Sequence, residues 1–344
     1  MKRLQLNIIL LLCMSIDIFA SSDIELINRT KKADMMPIPK SKVKLLELID
    51  NKENPITNKK IELGKKLFFE PRLSKSGLIS CNTCHHLGMG GVDGLAVATG
   101  HKWLSNPLHL NSPTVYNAVF NFEQFWDGRS PHLEDQAQGP MQAPFEMAAS
   151  KELVLERITS IPQYVNEFKK AYNNDTEITF KLIADTIAIF EKTLITPSRF
   201  DKFLHGDTSA ITKEEKEGLS IFLDLGCARC HKNIALGGSM QPFDTGERYK
   251  FRSLGNFNGN ENKLVKTPTL RNIEQTAPYF HNGAIWDLKE AVKEMGKIQL
   301  VLGISDTEAN KVVTFLKSLT GEKPNIIYPQ LPVSSKTTPK DLLD

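Results

Sequence analysis

The chain has 344 residues, 40% hydrophobic and 24% charged, with 43 Lys and Arg against 40 Asp and Glu and a formal net charge of +3. That length accommodates two sizeable cores, the composition is ordinary for a globular protein, and the near balance of charge excludes the basic footprint of a nucleic-acid binder.

Lys2 and Arg3, the apolar stretch Ile8 to Met14 and the small residues Ala20, Ser21 and Ser22 form the pattern of a cleaved secretory leader over residues 1–22. The apolar run is too short to cross a bilayer. Loss of Lys2, Arg3 and Asp17 with the leader takes the formal charge from +3 to about +2. No later segment is apolar enough to be a membrane anchor, so the expected location is the bacterial periplasm.

Residues 23–40 are polar, contain Pro37 and Pro39, and read as a linker. Lys42 to Ile49 and Ile61 to Phe69 have helical spacing of apolar residues. Cys81-Asn82-Thr83-Cys84-His85 follows, then a long loop from Met89 to Ser112 rich in Gly, Asn, His and Pro. A loop of that length in a compact domain is usually functional. Short helical pieces over 113–150 are interrupted by Pro131, Pro140 and Pro144. Helical patterns resume at Lys151–Ser160, Pro162–Tyr172 and Thr179–Thr193, and Thr196-Pro197 breaks the last of them.

The second half repeats the plan. Thr212 with Glu215 forms a capping box for a helix to Leu225. Cys227-Ala228-Arg229-Cys230-His231, a second irregular loop over 233–266, a helical stretch Leu288–Met295 and a closing helix Ser305–Leu319 follow, with Gly321 and Pro324 as terminators. β-Signals are sparse. The expected fold is mainly α, with two haem domains at 23–196 and 197–322 related by duplication of architecture, and an extended tail at 323–344. The two pentapeptides are 146 positions apart (227 − 81).

C-x-x-C-H is the attachment signal for c-type haem. Two thiols add across the haem vinyl groups and the adjacent His becomes an axial ligand of the iron. Four of the five cysteines, Cys81, Cys84, Cys227 and Cys230, lie in these motifs, and Cys13 lies in the leader. That leaves no thiol for a disulfide, a zinc site or a catalytic nucleophile. The expectation is two covalent haems, with His85 and His231 as the axial ligands on one face.

The opposite ligand decides between electron transfer and chemistry. For the second haem, Met240 is only nine residues beyond His231 (240 − 231), too few to cross easily to the far face of a haem of roughly 10 Å. Met295 is the preferred ligand. For the first haem, spacing leaves both His101 and Met147 open. His86, His109, His132 and His205 read as surface or capping residues. Trp126 reads as a partly buried anchor that could also lie between two haems. Gln136 and Glu146 stand among apolar and Pro residues, and suit the orienting donor and proton carrier that peroxide cleavage needs, but spacing does not select them from the other polar residues.

The residues resemble the bacterial dihaem cytochrome c peroxidases, the group that includes MauG-type enzymes, from about residue 40 to 322. The resemblance rests on Met89-Gly90-Gly91 after the first motif, Gly100-His101, Asn111-Ser112-Pro113-Thr114-Val115-Tyr116-Asn117-Ala118, Phe125-Trp126-Asp127-Gly128-Arg129, Gln136, Gly139-Pro140 and Glu146-Met147. In the second half it rests on Thr267-Pro268-Thr269-Leu270-Arg271-Asn272 and Ala277-Pro278-Tyr279-Phe280-His281-Asn282-Gly283.

It implies a low-potential peroxidatic haem held by His85 and, at rest, His101, and a high-potential haem held by His231 and Met295. Trp126 would lie between them, with Gln136 and Glu146 lining the peroxide pocket once His101 leaves. A calcium ion would take the Asn111 side chain and the carbonyls of Thr276 and Pro278, oxygen donors suited to a hard cation. The implied activity is reduction of hydrogen peroxide to water with electrons from a small cytochrome c or cupredoxin. A homodimer is the expected assembly. The alternatives are a MauG-like oxidase of a protein substrate, which carries Tyr where this chain has Met295, and a pure electron-transfer dihaem cytochrome.

Overall fold

The computed structural model describes residues 22–243 and 248–342, so nearly all of the expected leader lies outside the described residues. Helices dominate: α1 (residues 22–32), α2 (Lys42–Ile49), α3 (Asn58–Phe68), α4 (Cys81–Cys84), α5 (Leu133–Gln136), α6 (Gln138–Gln142), α7 (Lys151–Thr159), α8 (Pro162–Ala171), α9 (Phe180–Glu191), α10 (Arg199–Leu204), α11 (Lys213–Asp224), α12 (Leu288–Met295) and α13 (Asp306–Lys317). The described residues hold one two-stranded antiparallel sheet, β1 (Met240–Pro242) with β2 (Leu264–Lys266), in the register Gln241 opposite Val265.

The helices start where hydroxyl caps stand. The side chains of Thr57, Ser150 and Thr179 accept from Lys60, Leu153 and Leu182 backbone N–H groups. Thr212 with Glu215 and Ser305 with Glu308 close reciprocal capping boxes. The expected helix boundaries at 42–49 and 288–295 are met to the residue.

Each half is built on one close helix crossing. In the first, α3 lies on α9, and a Cβ added to Gly64 would come within 2.1 Å of the Thr186 carbonyl oxygen. In the second, α11 lies on α13, and the same atom on Gly218 would come within 2.0 Å of the Lys311 carbonyl oxygen. Only glycine allows backbones that near. Edge-to-face and tilted rings fill the space beside each crossing: Phe68 with Phe190 at 5.4 Å, Phe222 with Phe315 at 5.3 Å. The first core gathers Leu67, Phe68, Ile158, Tyr164, Phe168 and Ile183. The second gathers Phe200, Phe203, Leu219, Phe222, Phe315 and Leu319.

A second repeat, offset by 155 rather than 146 positions, relates the segments between the cores. Thr114 and Thr269 (269 − 114) donate their hydroxyls to the Gly90 and Ala235 carbonyls. Asn117 and Asn272, both with positive φ, donate their amides to the same Thr196 hydroxyl at 2.7 and 2.8 Å. Thr196, expected as the domain break, therefore sits on the pseudo-two-fold relation. Trp126 and His281 (281 − 126) are equivalent and lie edge to face, 6.3 Å apart.

Two expectations are corrected. Residues 23–40 are not a linker at the head of the first domain. α1 places Leu26 and Ile27, with Met35 after it, in the core of the second, and Arg29 donates to Asp224 at 2.6 Å. The apolar positions of α1 are few, so its polar composition masked a helix held by one face. The tail beyond residue 323 is extended as expected, but it crosses back onto the first domain. Tyr328 packs on Phe69, and Arg157 donates to the Lys340 carbonyl at 2.7 Å.

Candidate active site

The two pentapeptides open onto one cavity of about 750 Å³. Its walls carry Cys81, Cys84 and His85 from the first half and Cys227, Cys230 and His231 from the second. His85 Nδ1 lies 3.0 Å from the Pro113 carbonyl oxygen, and His231 Nδ1 lies 3.1 Å from that of Leu236. A carbonyl only accepts, so Nδ1 carries the proton and Nε2 keeps the lone pair for a metal. Burial pushes both imidazoles down, His231 to about 4, so both are neutral and able to ligate.

The thiols are equally telling. Burial pushes Cys84 up to about 12 and Cys227 to about 11, and raises Cys81 and Cys230 as well. A redox dithiol needs a stabilised thiolate, the opposite of what this burial favours. Thioether formation needs no persistent thiolate in the finished protein. A large apolar-walled cavity, paired cysteines on its wall and two oriented imidazoles fit haem.

Trp126, Gln136, Glu146 and Met295 all line this cavity. Trp126 is buried, and its indole N–H donates to the Asn111 carbonyl at 2.9 Å. Burial raises the Glu146 carboxyl, with Arg129 opposing. Met295 ends α12 and lines the cavity, whereas Met240 does not line it and has its sulfur packed toward Gly128. Asn111, Thr276 and Pro278 share the wall. The Asn111 amide nitrogen donates to the Leu95 carbonyl at 2.7 Å, which leaves Oδ1 as the atom able to meet a cation.

His101 is the exception. It is buried, but it is not among the residues lining the cavity, and its Nδ1 has no hydrogen-bond partner. Its backbone N–H donates to the Glu146 carbonyl at 2.7 Å. Gly100 makes that contact possible, since a Cβ there would come within 2.5 Å of Glu146 Cα. The structure brings His101 to Glu146 but not to the first haem pocket. Burial, then Lys75 and Lys102, hold its imidazole below the usual histidine range.

Sequence reasoning missed two wall residues. Glu191, at the end of α9, is buried with Oε2 unpartnered, and burial with Glu134 nearby pushes its carboxyl up to about 8. Lys266, at the end of β2, is buried on the same cavity. The 155-residue repeat marks Lys266 in the sequence; nothing local marks Glu191. His132, read as a cap, is one: its ring accepts from the Asp135 N–H at the start of α5.

A family model described as di-haem cytochrome c peroxidase matches residues 58–209, and one described as cytochrome c matches residues 215–320. The cytochrome c551 peroxidase of Nitrosomonas europaea is 46% identical over 81% of this chain and 85% of its own length. The chain belongs to the dihaem cytochrome c peroxidase family. The cytochrome c551 peroxidase of Pseudomonas aeruginosa is 42% identical over 88% of this chain and 89% of its own. The methylamine utilization protein MauG of Methylorubrum extorquens is 34% identical over 82% and 84%. Among solved structures, a MauG-like protein associated with microbial copper homeostasis superposes with a TM-score of 0.69 at 26% identity, covering 83% of this chain and 94% of its own.

This member of the family is an oxidoreductase acting on peroxide, and its two matched regions are haem-binding domains. No helix among the described residues is long and apolar enough to cross a membrane.

Proposed function

We propose that this peroxidase reduces hydrogen peroxide to water in the periplasm, taking two electrons one at a time from a small cytochrome c or cupredoxin. The observation that carries the reading is the single cavity lined by both C-x-x-C-H motifs together with Gln136 and Glu146. The names of the cytochrome c551 peroxidases support a small cytochrome as donor.

Cys81, Cys84 and His85 would hold the peroxidatic haem, and Cys227, Cys230, His231 and Met295 the electron-accepting one, each haem covalent. Bound haem would supply the redox chemistry, peroxide reduction in the first domain and storage of single electrons in the second. Glu146, its proton affinity raised by burial, takes the proton from the nearer peroxide oxygen and returns it to the farther one, which leaves as water. The Gln136 amide donates to the peroxide and fixes its orientation. Trp126 fills the space between the two halves. With two electrons and two protons, one peroxide becomes two waters.

His101 acts as the gate. As a resting ligand it would close the first haem pocket and swing away on activation. Its Gly-rich loop lowers the cost of the swing. Asn111 with the Thr276 and Pro278 carbonyls would hold calcium where the halves meet. Met295 on the cavity wall favours the peroxidase over a MauG-like oxidase.

The mass of the denatured mature protein should exceed the polypeptide by two haems. Glu146→Gln should keep both haems and cut peroxide turnover by about 10²–10⁴. A loss below about threefold would take Glu146 out of the mechanism.

A further inference from the structure

The 155-residue repeat carries a pairing that the haem ligands do not explain. Asn111 and Lys266 (266 − 111) occupy the same place in their halves, each two residues before a Pro-Thr dipeptide. Their backbones make the same crossing. The Asn111 N–H donates to the His281 carbonyl at 2.7 Å, and the Lys266 N–H donates to the carbonyl of Trp126, the equivalent of His281, at 2.8 Å. Each segment reaches over to the other domain, and each side chain lines the central cavity. What differs is chemistry: a neutral amide on one side, an ammonium on the other.

Lys266 is 5% exposed. Among the described residues it makes no side-chain hydrogen bond or ion pair, although its surroundings are charged. Asp127 and Glu123 favour its charged form without reaching it, and Arg129 opposes. Burial outweighs these neighbours and pushes the ammonium down to about 8. An ammonium out of water with no partner is costly, so a buried lysine either meets an anion or gives up its proton. Among the described residues no carboxylate reaches it, which points to an anion in the cavity that it lines. The dihaem reading supplies one of the right kind, since each haem bears carboxylates.

We infer that Lys266 holds a carboxylate of one of the two haems at the domain interface, the built-in cation of the second half where the first half offers the Asn111 amide. The inference rests on the dihaem reading. A fixed positive charge there stabilises the reduced iron relative to the oxidised one. It also ties β2, and through it Trp126, to the orientation of that haem.

The test uses the purified holoprotein and Lys266→Met, Lys266→Gln and Lys266→Arg. Haem number is read first from the mass of the denatured chains; a wild-type chain without two haems overturns both this inference and the dihaem reading. With two haems present, Lys266→Met should lower the midpoint potential of one haem by about tenfold in its one-electron equilibrium, ~59 mV. It should also shift the propionate bending band in the resonance Raman spectrum, and Lys266→Arg should restore both. Unchanged potentials and an unchanged band in a two-haem Lys266→Met overturn the inference and leave the peroxidase assignment standing. If Lys266→Met does not accumulate, Lys266→Gln carries the same comparison. If neither loads haem while Lys266→Arg loads both, the charge is what is required and the inference stands. If Lys266→Arg loads no better than the neutral variants, Lys266 is structural and the inference falls.

Discussion

Asp201 shows how much one buried side chain organises. Its two oxygens accept from both terminal nitrogens of Arg271 at 2.8 and 2.9 Å, from the Ile38 N–H at 2.8 Å and from the Ser198 N–H at 2.7 Å. These contacts tie α10 to the Thr-Pro-Thr-Leu-Arg-Asn segment and to the chain entering α2. Burial disfavours the charge on Asp201, but Arg271 and the backbone donors outweigh it and hold the carboxyl below its ordinary 3.8. Asp201→Asn leaves Arg271 buried without its counter-charge and should cost about 3–5 kcal/mol in denaturant unfolding at neutral pH. A carboxylate with a depressed folded pKa contributes stability above its unfolded value and loses it as pH falls through the folded one. The wild-type advantage over Asp201→Asn should therefore be constant above about pH 5 and shrink as the pH falls below about 4. A difference independent of pH would show that packing, not the ion pair, is responsible.

At the scale of elements, the two glycine-mediated crossings set how closely each haem domain closes. Alanine in mid-helix gains about 1 kcal/mol of intrinsic propensity over glycine. Overpacking at a tight contact costs about 1–3 kcal/mol. At Gly64 and Gly218 the obstructing atoms are backbone carbonyl oxygens of α9 and α13, which cannot rotate away, so the cost wins. Gly64→Ala and Gly218→Ala should each lower the thermal midpoint, while Gly303→Ala, with open space around its Cβ position, should not. These helices were readable from apolar spacing and hydroxyl caps, because both are local. α1 was not, since its few apolar residues carry meaning only against the second core that receives them.

Across the whole molecule, the chain's end is spent on its beginning. Arg157, fully buried on α7, donates to the Arg72 and Ser74 carbonyls and to that of Lys340 in the tail. The Leu342 N–H donates to the Lys75 carbonyl at 3.0 Å, and the Lys75 N–H donates to the Met147 carbonyl at 2.8 Å. The tail thus braces the segment beside Glu146. A chain ending at Pro324 should show faster amide hydrogen exchange over 72–77 and at Met147, with exchange in α11 and α13 unchanged. Equal exchange over 72–77 in the two forms would mean that the tail only covers surface.

The sequence by itself determined the prosthetic-group chemistry, the mainly α class and most of the helices. Each depends on residues adjacent in the chain or at one helical period, where chemistry and spacing are read together. The family motifs named Gln136, Glu146 and His101, but not the backbone contact that joins His101 to Glu146. Tertiary structure alone docked α1 on the second core and set His101 against Glu146. It also buried Glu191 and Lys266 beside the haem motifs. Those outcomes depend on which distant surfaces exclude water together, a property of the packed chain that no local pattern of residues encodes.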